Sequence, residues 1–111
     1  MQELSKEVAE SLVLLRSGDP ARIKEGKQRL ERWAHHATRP NADKRERHDA
    51  ANTLLAIIET PSPRPLRTFL IRLLGFIGDR DHERKLEAWE RDPEIGEDVR
   101  MARERIRSVR L

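Results

Sequence analysis

Runs of leucine, isoleucine, valine and alanine at three- and four-residue spacing are cut at five places by residues through which a helix does not continue. This punctuation constrains the fold more than any other feature of the chain. The breaks are Gly18-Asp19-Pro20, Arg39-Pro40-Asn41, the segment from Thr60 to Pro65 with prolines at 61, 63 and 65, Gly78-Asp79, and Asp92-Pro93. Glycine and proline end a helix, while aspartate, asparagine or a first-turn proline favours the start of the next. The pattern therefore predicts six helices and an all-α chain.

The apolar positions fix which face of each helix is inward. The first helix is expected from about Ser5 to Ser17, with Leu4, Val8, Leu12 and Leu15 on one face. The second starts at Pro20 and buries Ile23, Leu30, Trp33, Ala34 and Ala37. The third, capped by Asn41 or Asp43, runs to about Glu59 with Ala51, Leu54, Leu55 and Ile58 inward. The fourth is the most apolar: Leu66, Phe69, Leu70, Leu73, Leu74 and Ile77 cover one broad face, while Ile71 and Phe76 spill to the side. Asp79 or Asp81 caps a short fifth helix carrying Leu86 and Trp89. Asp92-Pro93 opens a sixth with Ile95, Val99, Ala102, Ile106 and Val109.

Length and composition bound the rest. A chain of 111 residues is one domain by size and large enough for an ordinary apolar core. Charged residues make up 39% and aromatics 4%, a balance that suits helices with solvated faces. Without cysteine there is no disulfide, thiolate metal site or thiol nucleophile, which fits a cytoplasmic protein. Residues 1–10 lack a signal-peptide pattern, and the longest apolar run, from Phe69 to Gly78, is broken by Arg72 and too short for a bilayer. No membrane association is expected.

The helices read as three antiparallel pairs, at about 5–37, 43–78 and 81–110, within a single domain. Odd-numbered helices begin near 5, 43 and 81, two steps of 38, and the prolines opening helices two and four are 43 apart. Apolar residues fall at matching offsets from those prolines: Ile23 with Leu66, Leu30 with Leu73, Trp33 with Phe76, Ala34 with Ile77. Ser62-Pro63, Arg67, the run from Leu73 to Asp79 (LLGFIGD), Leu86, Asp92-Pro93 and Val99-Arg100 give the C-terminal half its character. On these residues the chain resembles a HEAT-like repeat protein of the short bacterial type, also seen beside phycobilin lyases. The N-terminal half shares Gly18-Asp19-Pro20. The resemblance implies helix pairs stacked as a short α-solenoid, with helices two, four and six in one layer. Arginine-rich linkers and the proline-rich third connection depart from the family pattern.

Catalytic and metal motifs are weak. Asp79, Asp81, Glu83, Glu87 and Glu90 copy the ligand spacing of an EF-hand loop, but Arg84 stands where that loop needs glycine, so a capped acidic helix is the better reading. His35 and His36 point about 100° apart on a helix and cannot share a metal unaided. His48 and His82 read as isolated. No serine sits in a nucleophile elbow and no glycines form a phosphate loop, so no enzyme activity and no cofactor are expected.

Charge distribution carries the functional expectation. The net charge is only +3, yet Asp79 to Asp98 holds nine acids against four Lys or Arg, and Val99 to Leu111 holds five arginines against one acid. At 100° per residue the outward face of helix two shows Lys24 and Arg32, that of helix four Ile71 and Arg72, and that of helix six Arg100, Arg107 and, at its edge, Arg103. Helices one and five instead show Glu3, Glu7, Glu10, Glu83, Glu87 and Glu90. A basic layer with Ile71 as apolar anchor suits an acidic protein segment, which makes the chain a protein-binding adaptor, subunit or scaffold. Nucleic-acid binding through the same arginines is the alternative, weakened by the small net charge. Self-association through the apolar fourth helix is also open.

Overall fold

The computed structural model describes residues 2–110, with side chains described for 6–108. It is all-helical in this range: α1 (Gln2–Leu15), α2 (Pro20–Ala37), α3 (Lys44–Ile58), α4 (Arg64–Ile77), α5 (Arg80–Leu86) and α6 (Gly96–Arg110), with a 3-10 turn at Glu87–Trp89. The side chains of Glu3, Leu4, Ser5 and Val109, assigned roles above, lie outside the described residues.

Aspartates begin the elements, as their spacing predicts. Asp19 accepts from the amide of Ala21, Asp43 from Arg45 and Asp79 from Asp81, each satisfying a first-turn N–H that has no helical partner. Gly18 follows α1 with φ +80°, a conformation that costs a residue with a Cβ about 1–2 kcal/mol. The sixth helix differs from expectation. Asp92 accepts from the amides of Glu94 and Ile95 and so caps a turn, and α6 starts only at Gly96. The fifth helix is also shorter than predicted, since Trp89 falls in the 3-10 turn.

Two compact units are distinguished, Met1–Glu46 and Arg47–Leu111; the division falls in the first turn of α3. In the first unit α1 packs on α2. A Cβ on Gly26 would lie 2.9 Å from the Ser11 carbonyl oxygen and 3.1 Å from Leu15 Cγ, so the glycine sets how closely the two helices approach. Val8, Leu12, Leu15, Leu30, Trp33, Ala34 and Ala37 are buried. Arg29 clamps this pair: Nε and one terminal nitrogen donate to the two oxygens of Glu7 at 2.7 and 2.8 Å, and Glu10 accepts at 2.8 Å.

In the second unit the buried residues include Ala50, Ala51, Leu54, Leu55 and Ile58 of α3, eight residues of α4, His82, Glu83 and Leu86 of α5, and Ile95, Val99, Ala102 and Ile106 near or in α6. α4 and α6 lie side by side through small residues. A Cβ on Gly75 would meet the Ala102 Cα at 3.1 Å, and one on Gly78 would meet Ile106 Cδ1 at 3.1 Å, so contacts advance along both helices in the same direction. Arg67 joins elements at the other end of α4, donating from Nε to the Ile58 carbonyl at 3.1 Å and stacking 5.3 Å from the half-buried Trp89 ring. No helix among the described residues is long and apolar enough to cross a membrane.

Candidate functional site

The residues expected to form one basic layer meet different fates. Ile71 is 0% exposed, so the expected anchor is core instead. Eight residues of α4 are buried, so its buried face is wider than the stripe that periodicity alone assigns. Of the large apolar side chains of α4, Phe76 alone is exposed.

Arg103 is likewise not presented to a partner. Its side chain is 12% exposed and donates to Glu83 Oε1 at 2.9 Å and to Glu90 Oε2, with Glu87 at 3.9 Å. Burial lowers the pKa of this guanidinium, but the Glu83 hydrogen bond and the three carboxylates more than offset it, and the group stays charged. Arg107 shares Glu83 at 3.1 Å while remaining about half exposed. These contacts also dispose of the EF-hand spacing. Glu83, Glu87 and Glu90 face arginine, and residues 80–86 are helix where a calcium loop would have to turn.

Lys24 and Arg32 are exposed on α2 in the first unit, and Arg72 and Arg100 are exposed in the second. Arg72 lines an open groove of about 560 Å³ with Asp98, Met101, Ala102, Glu104, Arg105 and Ser108. The close approach of Gly75 and Ala102 keeps the surface low here. Arg105 also stacks 4.2 Å from the centroid of the Phe76 ring, holding an exposed aromatic flat under a cation. Met101, Arg105 and Phe76 escaped the sequence reading because α6 is short on apolar residues and Phe76 was paired by its offset with buried Trp33. The usable signal was the i, i+4 spacing of Arg72 with Phe76 and of Met101 with Arg105.

A second cluster joins residues that look isolated in sequence. His48 of α3 places Nδ1 2.7 Å from Asp79 Oδ2, and the His48 and His82 rings are 4.9 Å apart. His82 is 0% exposed. Its Nδ1 accepts the Asp79 backbone N–H at 3.0 Å, completing the capping box of α5, so its ring proton is on Nε2, which meets Asn52 Oδ1 at 2.8 Å. Burial pushes the pKa of His82 down and keeps the ring neutral. Burial raises the pKa of Asp79, but the His48 hydrogen bond and the Asp81 amide hold it below the ordinary value. One ligand-type atom from each of His48, Asp79 and His82 lies within 4.8 Å of the others. His35 and His36 remain exposed in the last turn of α2, as expected.

Comparison with protein-family models, with curated protein sequences and with solved structures finds no match to this chain.

Proposed function

We propose that the chain is a short HEAT-like repeat protein acting as a non-catalytic interaction module, an adaptor or subunit that docks an acidic protein segment along the α4/α6 groove. The observation that carries this reading is the apolar surface left at the groove. Met101, which lines the groove, is 58% exposed, and Phe76, beside it under Arg105, is 42% exposed; among the described residues Val13 of the first unit is the other exposed large apolar side chain. Exposed apolar groups flanked by arginine are the composition of a binding hot spot, because the apolar part supplies affinity and guanidinium forks pair with carboxylates. α4 carries Arg64, Arg67 and Arg72 and no acid. Glu83, Glu87 and Glu90 are meanwhile occupied by Arg103, while Arg72 and Arg105 are exposed cations that line the groove and Arg100 is exposed on α6.

The repeat architecture has its own support. α4 and α6 run alongside each other with contacts advancing together, as second helices of successive repeats do. His48 near the start of α3 meets Asp79 just after α4, and Ile58 at the end of α3 meets Arg67 near the start of α4, the pairing of an antiparallel repeat.

Fluorescence anisotropy tests the assignment with two labelled peptides, one glutamate-rich around a central leucine and one with lysine in place of each glutamate, and with a short DNA duplex. The acidic peptide should bind and keep measurable affinity at high salt. Arg72→Glu with Arg105→Glu, and separately Met101→Asp, should each weaken it at least tenfold without changing the melt. Equal binding of both peptides would refute the reading. Duplex binding that falls steeply with salt and ignores Met101→Asp would replace the protein partner with nucleic acid.

A further inference from the structure

We propose that His48, Asp79 and His82 form a binding site for one divalent transition-metal ion of the zinc class, with Asn52 as the positioning group behind His82. The inference is independent of the groove. Three features of the cluster point to a cation.

The first is that the donor set is assembled before any ion arrives. The three side chains come from α3, from the residue that caps α5 and from the first turn of α5, and their ligand atoms already lie within 4.8 Å of one another. Zinc bonds of about 2.0–2.1 Å in a tetrahedron require ligand atoms roughly 3.4 Å apart. The observed separations, 2.7 Å from His48 Nδ1 to Asp79 Oδ2 and 3.0 Å from His82 Nδ1 to Asp79 Oδ1, run to the two oxygens of one carboxylate, so rotating that carboxylate within the 4.8 Å that bounds the set brings one oxygen and the two ring nitrogens to this spacing.

The second is the tautomer. Because Nε2–H of His82 donates to Asn52 Oδ1, the lone pair is on Nδ1, where it accepts the Asp79 amide and lies 3.0 Å from Asp79 Oδ1. Two acceptors lie side by side there, Nδ1 served by the Asp79 amide and Oδ1 by the Asp81 amide, and both are available to a cation. A ligating histidine that gives its other N–H to an oxygen is the usual outer arrangement of a metal site, since it fixes ring orientation and raises basicity. Metal binding would cost the bond from the Asp79 amide to His82 Nδ1 and the hydrogen bond from His48 Nδ1 to Asp79 Oδ2, with the His48 proton passing to solvent or to Nε2. The other half of the cap, Asp81 N–H to Asp79 Oδ1, can remain.

The third is access. His82 is fully buried, which holds one ligand rigidly, while the side chains of Asp79 and His48 are 40% and 37% exposed, so an ion reaches the cluster from solvent and keeps water at a fourth position. Two imidazoles and one carboxylate select zinc, cobalt, nickel or copper over magnesium and calcium, which prefer all-oxygen sites.

The test uses the full chain after chelator treatment. Isothermal titration with Zn2+ and the visible spectrum with Co2+ read stoichiometry and geometry, and a thermal melt reads the linked stabilisation. The expected result is one equivalent of Zn2+, a tetrahedral Co2+ spectrum and a raised melting temperature reversed by EDTA. His48→Gln and Asp79→Asn, which keep hydrogen-bonding side chains, should each weaken Zn2+ at least tenfold, and His35→Gln with His36→Gln should leave it unchanged. His82→Gln removes a buried ring and can unfold the chain, so the decision rests on the other two variants. No Zn2+ uptake, uptake unaffected by His48→Gln and Asp79→Asn, or uptake lost with His35 and His36 would each overturn the proposal.

Discussion

Replacing Ile71 with alanine takes three carbons out of a side chain that is 0% exposed on the helix with the most buried residues in the chain. At about 0.8 kcal/mol per buried methylene the lost transfer energy is ~2.4 kcal/mol, and the unfilled cavity raises the expected cost to about 3–4 kcal/mol. Leu70→Ala, at a neighbouring position that is equally enclosed, should cost the same within error, and Ile71→Val only about 0.5–1.5 kcal/mol. Urea unfolding followed by far-UV circular dichroism measures the difference. With a slope of about 1–3 kcal/mol per molar for a small protein, the Ile71→Ala midpoint should fall by roughly 1–4 M. The slope itself should hold, because the surface exposed on unfolding is nearly unchanged. A loss below about 0.5 kcal/mol at Ile71, with the full loss at Leu70, would match a surface substitution and refute the reasoning. α4 would then carry an outward apolar face, and Ile71 would return as the anchor in place of Met101 and Phe76. Ile71→Asp, by the same burial, should unfold the second unit and cannot serve as a binding probe.

Arg103→Met should cost about 2–4 kcal/mol in the same assay, because it strands the nearly buried Glu83 with Arg107 alone. Adding Glu83→Gln should recover part of that loss, and strictly additive costs would show that the pair is not coupled. Gly26→Ala should destabilise by about 1 kcal/mol or more despite the better helix propensity of alanine, since its Cβ meets a carbonyl oxygen 2.9 Å away; a more stable variant would mean that α1 shifts freely. The hydrogen bond from Arg29, opposed by burial, holds the Glu7 carboxyl below its ordinary pKa, so the unfolded chain takes up this proton first as pH falls. That contribution is present above the unfolded pKa of about 4.3 and disappears as pH drops through the folded value. Urea midpoints measured from neutral to acid pH should therefore decline less steeply in Arg29→Met, and identical slopes would contradict the assignment.

The helices, their caps and most of the core were legible in sequence because they depend on local chemistry. Asp19, Asp43 and Asp79 reach amides two residues away, Gly18 takes a positive φ that few residues accept, and the stripe Leu66, Phe69, Leu70, Leu73, Leu74, Ile77 follows from helical period. Tertiary packing decided what period cannot reach. Ile71 lies at the margin of its stripe, and whether a marginal residue is core depends on how many helices surround α4. Arg103 belongs to an outward arc by angle, yet Glu83 and Glu90 lie 20 and 13 residues away in sequence and only the fold brings them to its guanidinium. His48 and His82 looked solitary because 31 residues separate His48 from Asp79 and 30 separate His82 from Asn52. Charge and apolar period along a helix are local properties of the chain, whereas ion pairing and ligand clustering are set by which helices pack together, and that depends on long-range contacts.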